Sequence, residues 1–217
     1  MRIGLLGGTF NPIHIAHLRI AEEVRESCAL DQILFIPAAA PPHKKMVGSV
    51  SFHHRCAMTR LAVMDNPAFT VTDMEGRRSG KSYSVDTLTL LREDNPEGEF
   101  FFIIGMDSYR EIHTWKDYPR LFELAHFVVV GRPGYGPESS PHEFLPTAIQ
   151  PQFCYDEAPR MLRHRSGNTL IFLKESMLDI ASRQIRRLLA RNRSIRYLVP
   201  DQVTEYIHTH GLYAPGR

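Results

Sequence analysis

"IGLLGGTFNPIHIAH", residues 3–17, decides the fold class. Four apolar residues, Ile3 to Leu6, are closed by Gly7-Gly8, which suits a buried parallel strand better than a helix. From about Ala16 to Cys28 the apolar residues Leu18, Ile20, Ala21 and Val24 alternate with charges at near-helical spacing. "QILFIP" (32–37) is a second strand, stopped by Pro37. Strand, helix and strand in this order form one βαβ unit, for which a right-handed crossover is the default.

The alternation continues along the chain. A helix over 52–64 precedes a strand at 69–73, and a helix over 84–92 precedes the very apolar "EFFFIIG" (99–105). A helix at 119–125 leads into a strand at 126–131, and "TLIFLK" (169–174) reads as a further strand. Helices near 182–191 and 201–209 close the chain, the second opening at Pro200-Asp201 and ending at Gly211. The expected class is α/β: a doubly wound, mainly parallel sheet with C-terminal helices. Residues 1–217 are expected to form a single domain, helical from about 180 onward. Two stretches break the rhythm. Residues 38–50 are rich in Ala, Pro and Lys, and 132–168 hold many prolines. The second is long enough to be read as either a functional or a mobile loop.

Composition narrows the function classes. Lys+Arg number 26 against 24 for Asp+Glu, a net charge of +2, which argues against a dedicated nucleic-acid binder. Three widely spaced cysteines form neither a disulfide framework nor a CxxC metal site, so a reducing cytoplasm is expected. No signal-peptide profile is visible, and no apolar run approaches the roughly 20 residues that span a bilayer. No membrane partner is expected. Nothing in the sequence fixes the oligomeric state, and a homo-oligomer stays open.

The candidate chemistry starts where the first strand ends. Gly7-Gly8-Thr9 lies at the carboxyl end of a strand and before a helix, where doubly wound sheets bind ligands. Glycine permits close approach of a phosphate, and a helix start offers unpaired N–H groups. The spacing is neither GxGxxG nor GxxxxGK[ST], so a plain tight turn is an equal alternative at this point. His14 and His17, three apart on a first turn, share a face and can donate to phosphate oxygens. A solvated pair is the competing account, and without HExxH or a third ligand nearby no metal site is expected.

Later segments add further candidates. "PPHKK" presents His43 and Lys44 after the second strand, as phosphate contacts or as a solvated basic loop. Ser82 and Ser84 in "SGKSYSVDTL" are N-cap candidates, in a turn whose N–H groups can receive a carboxylate. Trp115, the only tryptophan, stands in "IHTWKDY", a polar setting suited to stacking a flat ring or to a half-buried surface position. Gly105 would let a nucleotide approach, and Asp107 either accepts from ribose or caps the next helix. Ser182 and Arg186, at i and i+4, suit a pyrophosphate. Arg187, Arg191 and Arg193 read as a solvated face. His53 and His54 read as structural, with Arg55 within reach of a phosphate.

Together these segments resemble a known family. "GGTFNPIHIAH" is similar to the GGTFDPxHxGH signature of the HxGH nucleotidyltransferases. "PAAAPPHK", "SYSVDTL", "IIGMDS", Trp115-Lys116, "GRPG", "IASRQIR" and "YLVPDQVTEYIHTHGLY" follow in the order seen in bacterial nicotinate-nucleotide adenylyltransferases. The sequence departs from the signature at Asn11, where Asp is usual, and at Ala16, where Gly is usual. In "IASRQIR" the family more often has small hydroxyl residues before the final Ile-Arg. The resemblance implies adenylyl transfer from ATP to nicotinate mononucleotide, with Mg2+ carried by ATP. It implies His14, His17 and Arg186 as catalytic, and Gly7, Gly8, Thr9, Phe10, Gly105, Asp107, Ser182 and Arg186 as ATP-binding. It implies His43, Lys44, Ser82, Tyr83, Ser84, Trp115 and Lys116 as acceptor-binding. Two rivals are transfer to another phosphate acceptor, such as the amide mononucleotide or phosphopantetheine, and a non-catalytic ATP- or RNA-binding relative of class I synthetases. The KMSKS loop of those synthetases is missing.

Overall fold

The computed structural model describes residues 1–42, 50–131, 145–155, 161–173 and 178–214. Within them an eight-stranded sheet runs in the order β3-β2-β1-β4-β5-β8-β7-β6. The strands are β1 (Arg2–Gly8), β2 (Gln32–Pro37), β3 (Phe69–Val71), β4 (Glu99–Gly105), β5 (His126–Val130), β6 (Phe153–Tyr155), β7 (Met161–His164) and β8 (Thr169–Leu173). Pairings from β3 across to β8 are parallel; β7 runs antiparallel to both β8 and β6. The helices are α1 (Ile15–Ser27), α2 (Phe52–Val63), α3 (Met74–Arg77), α4 (Ser84–Asp94), α5 (Met106–Arg110), α6 (Tyr118–Leu124), α7 (Ser182–Leu189) and α8 (Asp201–Thr209).

The α/β class and the mainly parallel, doubly wound sheet are as the sequence predicts. The difference lies in 132–168, expected as loop alone, where β6 and β7 form an antiparallel hairpin at the sheet edge. Both strands are short, of 3 and 4 residues, and too brief to display a hydrophobic period. The strand at 69–73 stops at Val71, because Asp73 and Met74 turn the chain into α3.

Alternation in the central strands divides the core between two faces. In β4, Phe101 and Ile103 pack with α1, α2, α7 and α8, through residues such as Val24, Met58, Ile185 and Val203. Phe100, Phe102 and Ile104 pack on the other side with Val85 and Leu88 of α4 and Leu121 and Phe122 of α6. A strand buried on both faces reads as a continuous apolar run, which is why "EFFFIIG" lacks polar alternation.

Strand order places the ligand crevice. The chain moves from β1 outward through β2 and β3, then returns to pair β4 on the opposite side of β1. That reversal is the switch point of an open α/β sheet. β1 and β4 pair as far as Leu6 and Ile103. Gly7-Gly8 continues along β2 to Pro37, so the carboxyl ends of β1 and β4 form two separate lips.

Candidate active site

A cavity of about 390 Å3 opens between those lips. One end is walled by Gly7, Gly8, Thr9 and His17, and the floor by Phe102, Ile104 and Gly105. Ser82, Tyr83, Ser84, Trp115 and Lys116 also wall the cavity. The structure therefore gathers around one space three segments that lie far apart in sequence.

Two glycines shape this space differently. A Cβ on Gly8 would lie 2.7 Å from Phe10 Cε1, so the turn closes only over glycine. Nothing stands within 4 Å of a Cβ on Gly105, so a side chain there would project into the opening. Phe10, expected at the nucleotide, is instead 2% exposed and packs edge-on against the His17 ring at 5.1 Å. It adopts φ 45°, the left-handed region, where the chain turns into the motif loop.

The two histidines take unequal places. His17 lines the cavity, whereas His14 is 5% exposed and stacks on His17 at 3.7 Å, away from the wall. The His14 backbone N–H donates to His17 Nδ1 at 3.2 Å. That bond leaves the ring proton on Nε2, so neutral His17 is a donor through its outer nitrogen.

The motif loop is held from behind by the C-terminal segment. Ser182 Oγ donates to Pro12 O at 2.8 Å, and Arg186 Nη1 donates to Asn11 O at 2.6 Å. Ile15 N donates to Leu198 O at 3.0 Å. Ser182 and Arg186 do face one side, as their spacing implies, and that side is the backbone of the motif. Neither lines the cavity. Arg187, Arg191 and Arg193 are exposed.

Sequence reasoning missed Tyr213 in this support and named Arg55 only as within reach of a phosphate. Tyr213 OH donates to Asn11 Oδ1 at 2.7 Å, and burial pushes its phenol pKa up. Arg55 is 1% exposed and donates to Thr9 O at 2.6 Å and Ala39 O at 3.4 Å. Burial lowers its pKa, and its guanidinium lies 5.6 Å from the Phe52 ring. Arg55 thus anchors the motif loop and does not line the cavity. His54 Nδ1 lies 3.0 Å from Tyr206 OH, tying α2 to α8.

Neither serine caps α4. The N-cap is Tyr83, and Ser84 is the first helical residue. The Ser82 hydroxyl accepts from Ala39 N at 3.1 Å and Ala40 N at 3.0 Å, so it is already committed across the cavity mouth. Thr87 and Glu75 complete this wall. Trp115 is half-buried, edge-on to Phe102 at 6.3 Å, with its ring bordering the cavity. Lys116 Nζ pairs with both oxygens of Asp86, at 2.9 and 3.1 Å, and sits 4.9 Å over the Tyr83 ring. Beyond Gly105 the wall is made by Ser108 and Glu111; Asp107 is exposed on α5, and the N-cap there is Gly105. His43 and Lys44 lie outside the described residues. Among the described residues no cluster of three or more His, Cys, Asp or Glu is placed to hold a metal. No described helix is long and apolar enough to cross a membrane.

Comparison with known proteins agrees with this arrangement. The family described as cytidylyltransferase-like matches residues 5–209. A chain from Syntrophotalea carbinolica is 62% identical over 213 residues, covering 98% of this chain and 97% of that one. Another, from Geobacter sulfurreducens, is 56% identical over 214 residues, covering 99% of both. Both bear the name "Probable nicotinate-nucleotide adenylyltransferase". The chain belongs to the nicotinate-nucleotide adenylyltransferase family. Its fold is also that of Plasmodium falciparum nicotinic acid mononucleotide adenylyltransferase complexed with NaAD, with TM-score 0.74 and 20% identity over 98% of this chain and 97% of that one.

Membership of the nicotinate-nucleotide adenylyltransferase family gives the two departures a structural setting. Asn11 is 7% exposed and accepts the Tyr213 hydroxyl, a bond an aspartate would accept in the same place and more strongly. Ala16 is 5% exposed, buried in the first turn of α1 beside the histidine pair.

Proposed function

We propose that this protein transfers the adenylyl group of Mg-ATP to the 5′-phosphate of nicotinate mononucleotide, releasing pyrophosphate and nicotinate adenine dinucleotide. The carrying observation is one cavity that joins His17 and the glycine turn to Trp115 and the start of α4. Groups suited to phosphate transfer and to holding a flat ring line the same opening.

An oxygen of the acceptor phosphate attacks the α-phosphorus. The α–β bridging P–O bond breaks, and its electron pair leaves on pyrophosphate with Mg2+. The acceptor phosphate is already ionised at neutral pH, so the step needs no protein base and no covalent intermediate. The protein supplies position and charge stabilisation. His17 donates from Nε2 to the phosphates undergoing substitution, with His14 stacked behind it. Arg186 and Ser182 hold the motif loop from behind, through Asn11 O and Pro12 O, and so position the histidines toward the departing pyrophosphate. Gly7, Gly8, Thr9 and Gly105 receive ATP by close backbone approach.

Trp115 stacks the pyridine ring, and the N–H groups that begin α4 from Ser84 onward receive its carboxylate. Lys116, held by Asp86, keeps the two walls together. His43 and Lys44 complete the contact to the acceptor phosphate. The free thiols of Cys28, Cys56 and Cys154 support a cytoplasmic setting, and residues 1–217 act as one nucleotidyltransferase unit.

Pyrophosphate release from Mg-ATP with a panel of acceptors tests the assignment. Nicotinate mononucleotide should exceed the amide mononucleotide by at least about tenfold in kcat/KM, because helix-start N–H groups favour an anion. Equal rates with both, or faster release with phosphopantetheine, would overturn the substrate.

A further inference from the structure

Glu75, on α3, is a carboxylate on the cavity wall that adenylyl transfer as derived above does not use. It is 8% exposed. The Thr87 hydroxyl donates to Oε1 at 2.8 Å, whereas Oε2 is buried and has no hydrogen-bond partner. The nearby cations are engaged elsewhere. Lys116 is held by Asp86, Arg78 reaches Thr87 Oγ1 at 3.4 Å, and Arg55, though its charge attracts Glu75, spends its hydrogen bonds on the carbonyls of Thr9 and Ala39. Among the described residues no side chain forms an ion pair with Glu75. With Oε2 out of reach of cavity water, a positive group on the cavity side of Glu75 would help to compensate its charge, since an uncompensated buried charge is strongly unfavourable.

We infer that Glu75 is the counter-charge for the pyridinium ring of the acceptor, so that the site reads the ring's positive charge as well as its carboxylate. The inference rests on the proposed function. The ring nitrogen of nicotinate mononucleotide is quaternised by its bond to ribose, so the acceptor base is a zwitterion. Its negative end suits the N–H groups at the start of α4, and its positive ring lies beside Trp115 and Glu75, which share a wall. The Trp115 face attracts the same cation. A ribose hydroxyl could donate a hydrogen bond to this carboxylate, but it would bring no positive charge to it. The nicotinate carboxylate brings no donor at neutral pH and repels Glu75. Ring charge is the property that distinguishes this acceptor from its 1,4-dihydro form, which keeps the carboxylate, ribose and phosphate but has a neutral ring.

The experiment compares these two acceptors with saturating Mg-ATP on the wild type and on Glu75→Gln. The glutamine keeps the volume and can still bond Thr87. The wild type should prefer the pyridinium acceptor at least about tenfold in kcat/KM, equivalent to about 1.4 kcal/mol. Glu75→Gln should shrink the preference to about twofold or less, by raising KM for the pyridinium acceptor while KM for ATP stays unchanged. A preference unaltered by Glu75→Gln would overturn the inference and assign the carboxylate to a hydroxyl common to both acceptors. Equal use of both rings by the wild type overturns it without any variant. A wild type that adenylylates neither acceptor overturns the functional assignment itself, and the charge readout with it.

Discussion

Replacing Tyr213 by Phe removes one hydroxyl and probes whether the C-terminal segment holds the phosphate motif. That hydroxyl donates to Asn11 Oδ1 at 2.7 Å, and Asn11 is 7% exposed, so water has little room to take its place. A buried acceptor left unsatisfied costs about 1–3 kcal/mol. Tyr213 itself is only partly buried, which puts the expected loss near the low end, about 1–2 kcal/mol. In a chain of this size that corresponds to a melting temperature lower by about 2–8 °C. The Asn11 carbonyl is tied separately to Arg186, so the loop should loosen without detaching. We expect kcat to fall about three- to tenfold through poorer positioning of His14 and His17, with acceptor KM within about twofold. Calorimetry and steady-state pyrophosphate release measure the two effects. Asn11→Asp sharpens the comparison: a carboxylate makes a charge-assisted bond about twice as strong, so Tyr213→Phe should cost more in that background. A melting temperature unchanged by Tyr213→Phe, with no coupling to Asn11→Asp, would refute the clamp.

Three further outcomes follow from the same geometry. His17→Ala should lower kcat by about 10²–10³ while circular dichroism remains native; near-normal kcat would remove His17 from the chemistry. Gly105→Val should abolish ATP binding with little loss of stability, because its side chain would enter the cavity where no atom now lies within 4 Å; unaltered KM for ATP would place the nucleotide elsewhere. Stability should fall as the pH drops below about 6.5, since burial holds His54, His126 and His164 below the ordinary imidazole pKa. The unfolded chain then takes up protons first, so stability is intact above the unfolded pKa and is lost as pH falls through the folded one. His164 accepts from Ser166 N at 3.2 Å through Nδ1, and its Nε2 lies 3.0 Å from Gln152 Oε1, an arrangement for a neutral ring. His164→Gln should flatten the decline between pH 7.5 and 5.5, measured as melting temperature; an unaltered slope would exclude it as a contributor.

The parallel core was legible because buried strands advertise themselves: "QILFIP" and "EFFFIIG" are apolar runs between turns, and β2 and β4 occupy them in full. The hairpin of β6 and β7 was not, since strands of 3 and 4 residues at a sheet edge carry too little pattern. The walls of the cavity were visible as motifs at strand ends and a helix start. Its supports were not. Arg55 lies in "FHHRCAM", where nothing marks a guanidinium that will be 1% exposed, and Tyr213 is 202 residues from the Asn11 it bonds. Ser82 has the spacing of a cap, but its hydroxyl serves Ala39 and Ala40, a contact 42 to 43 residues away. Glu75 belongs to the charged stretch "DMEGRR", and folding buries it against Thr87. In each case local pattern gave the element, and long-range packing decided what the side chain touches.

The central claim is a single in-line displacement positioned by His17 and the glycine turn, with no covalent intermediate. Transfer from ATP carrying one sulfur of known configuration on its α-phosphorus tests it most directly. The dinucleotide product should show inversion at that phosphorus. Retention would mean two successive displacements, and would contradict the account.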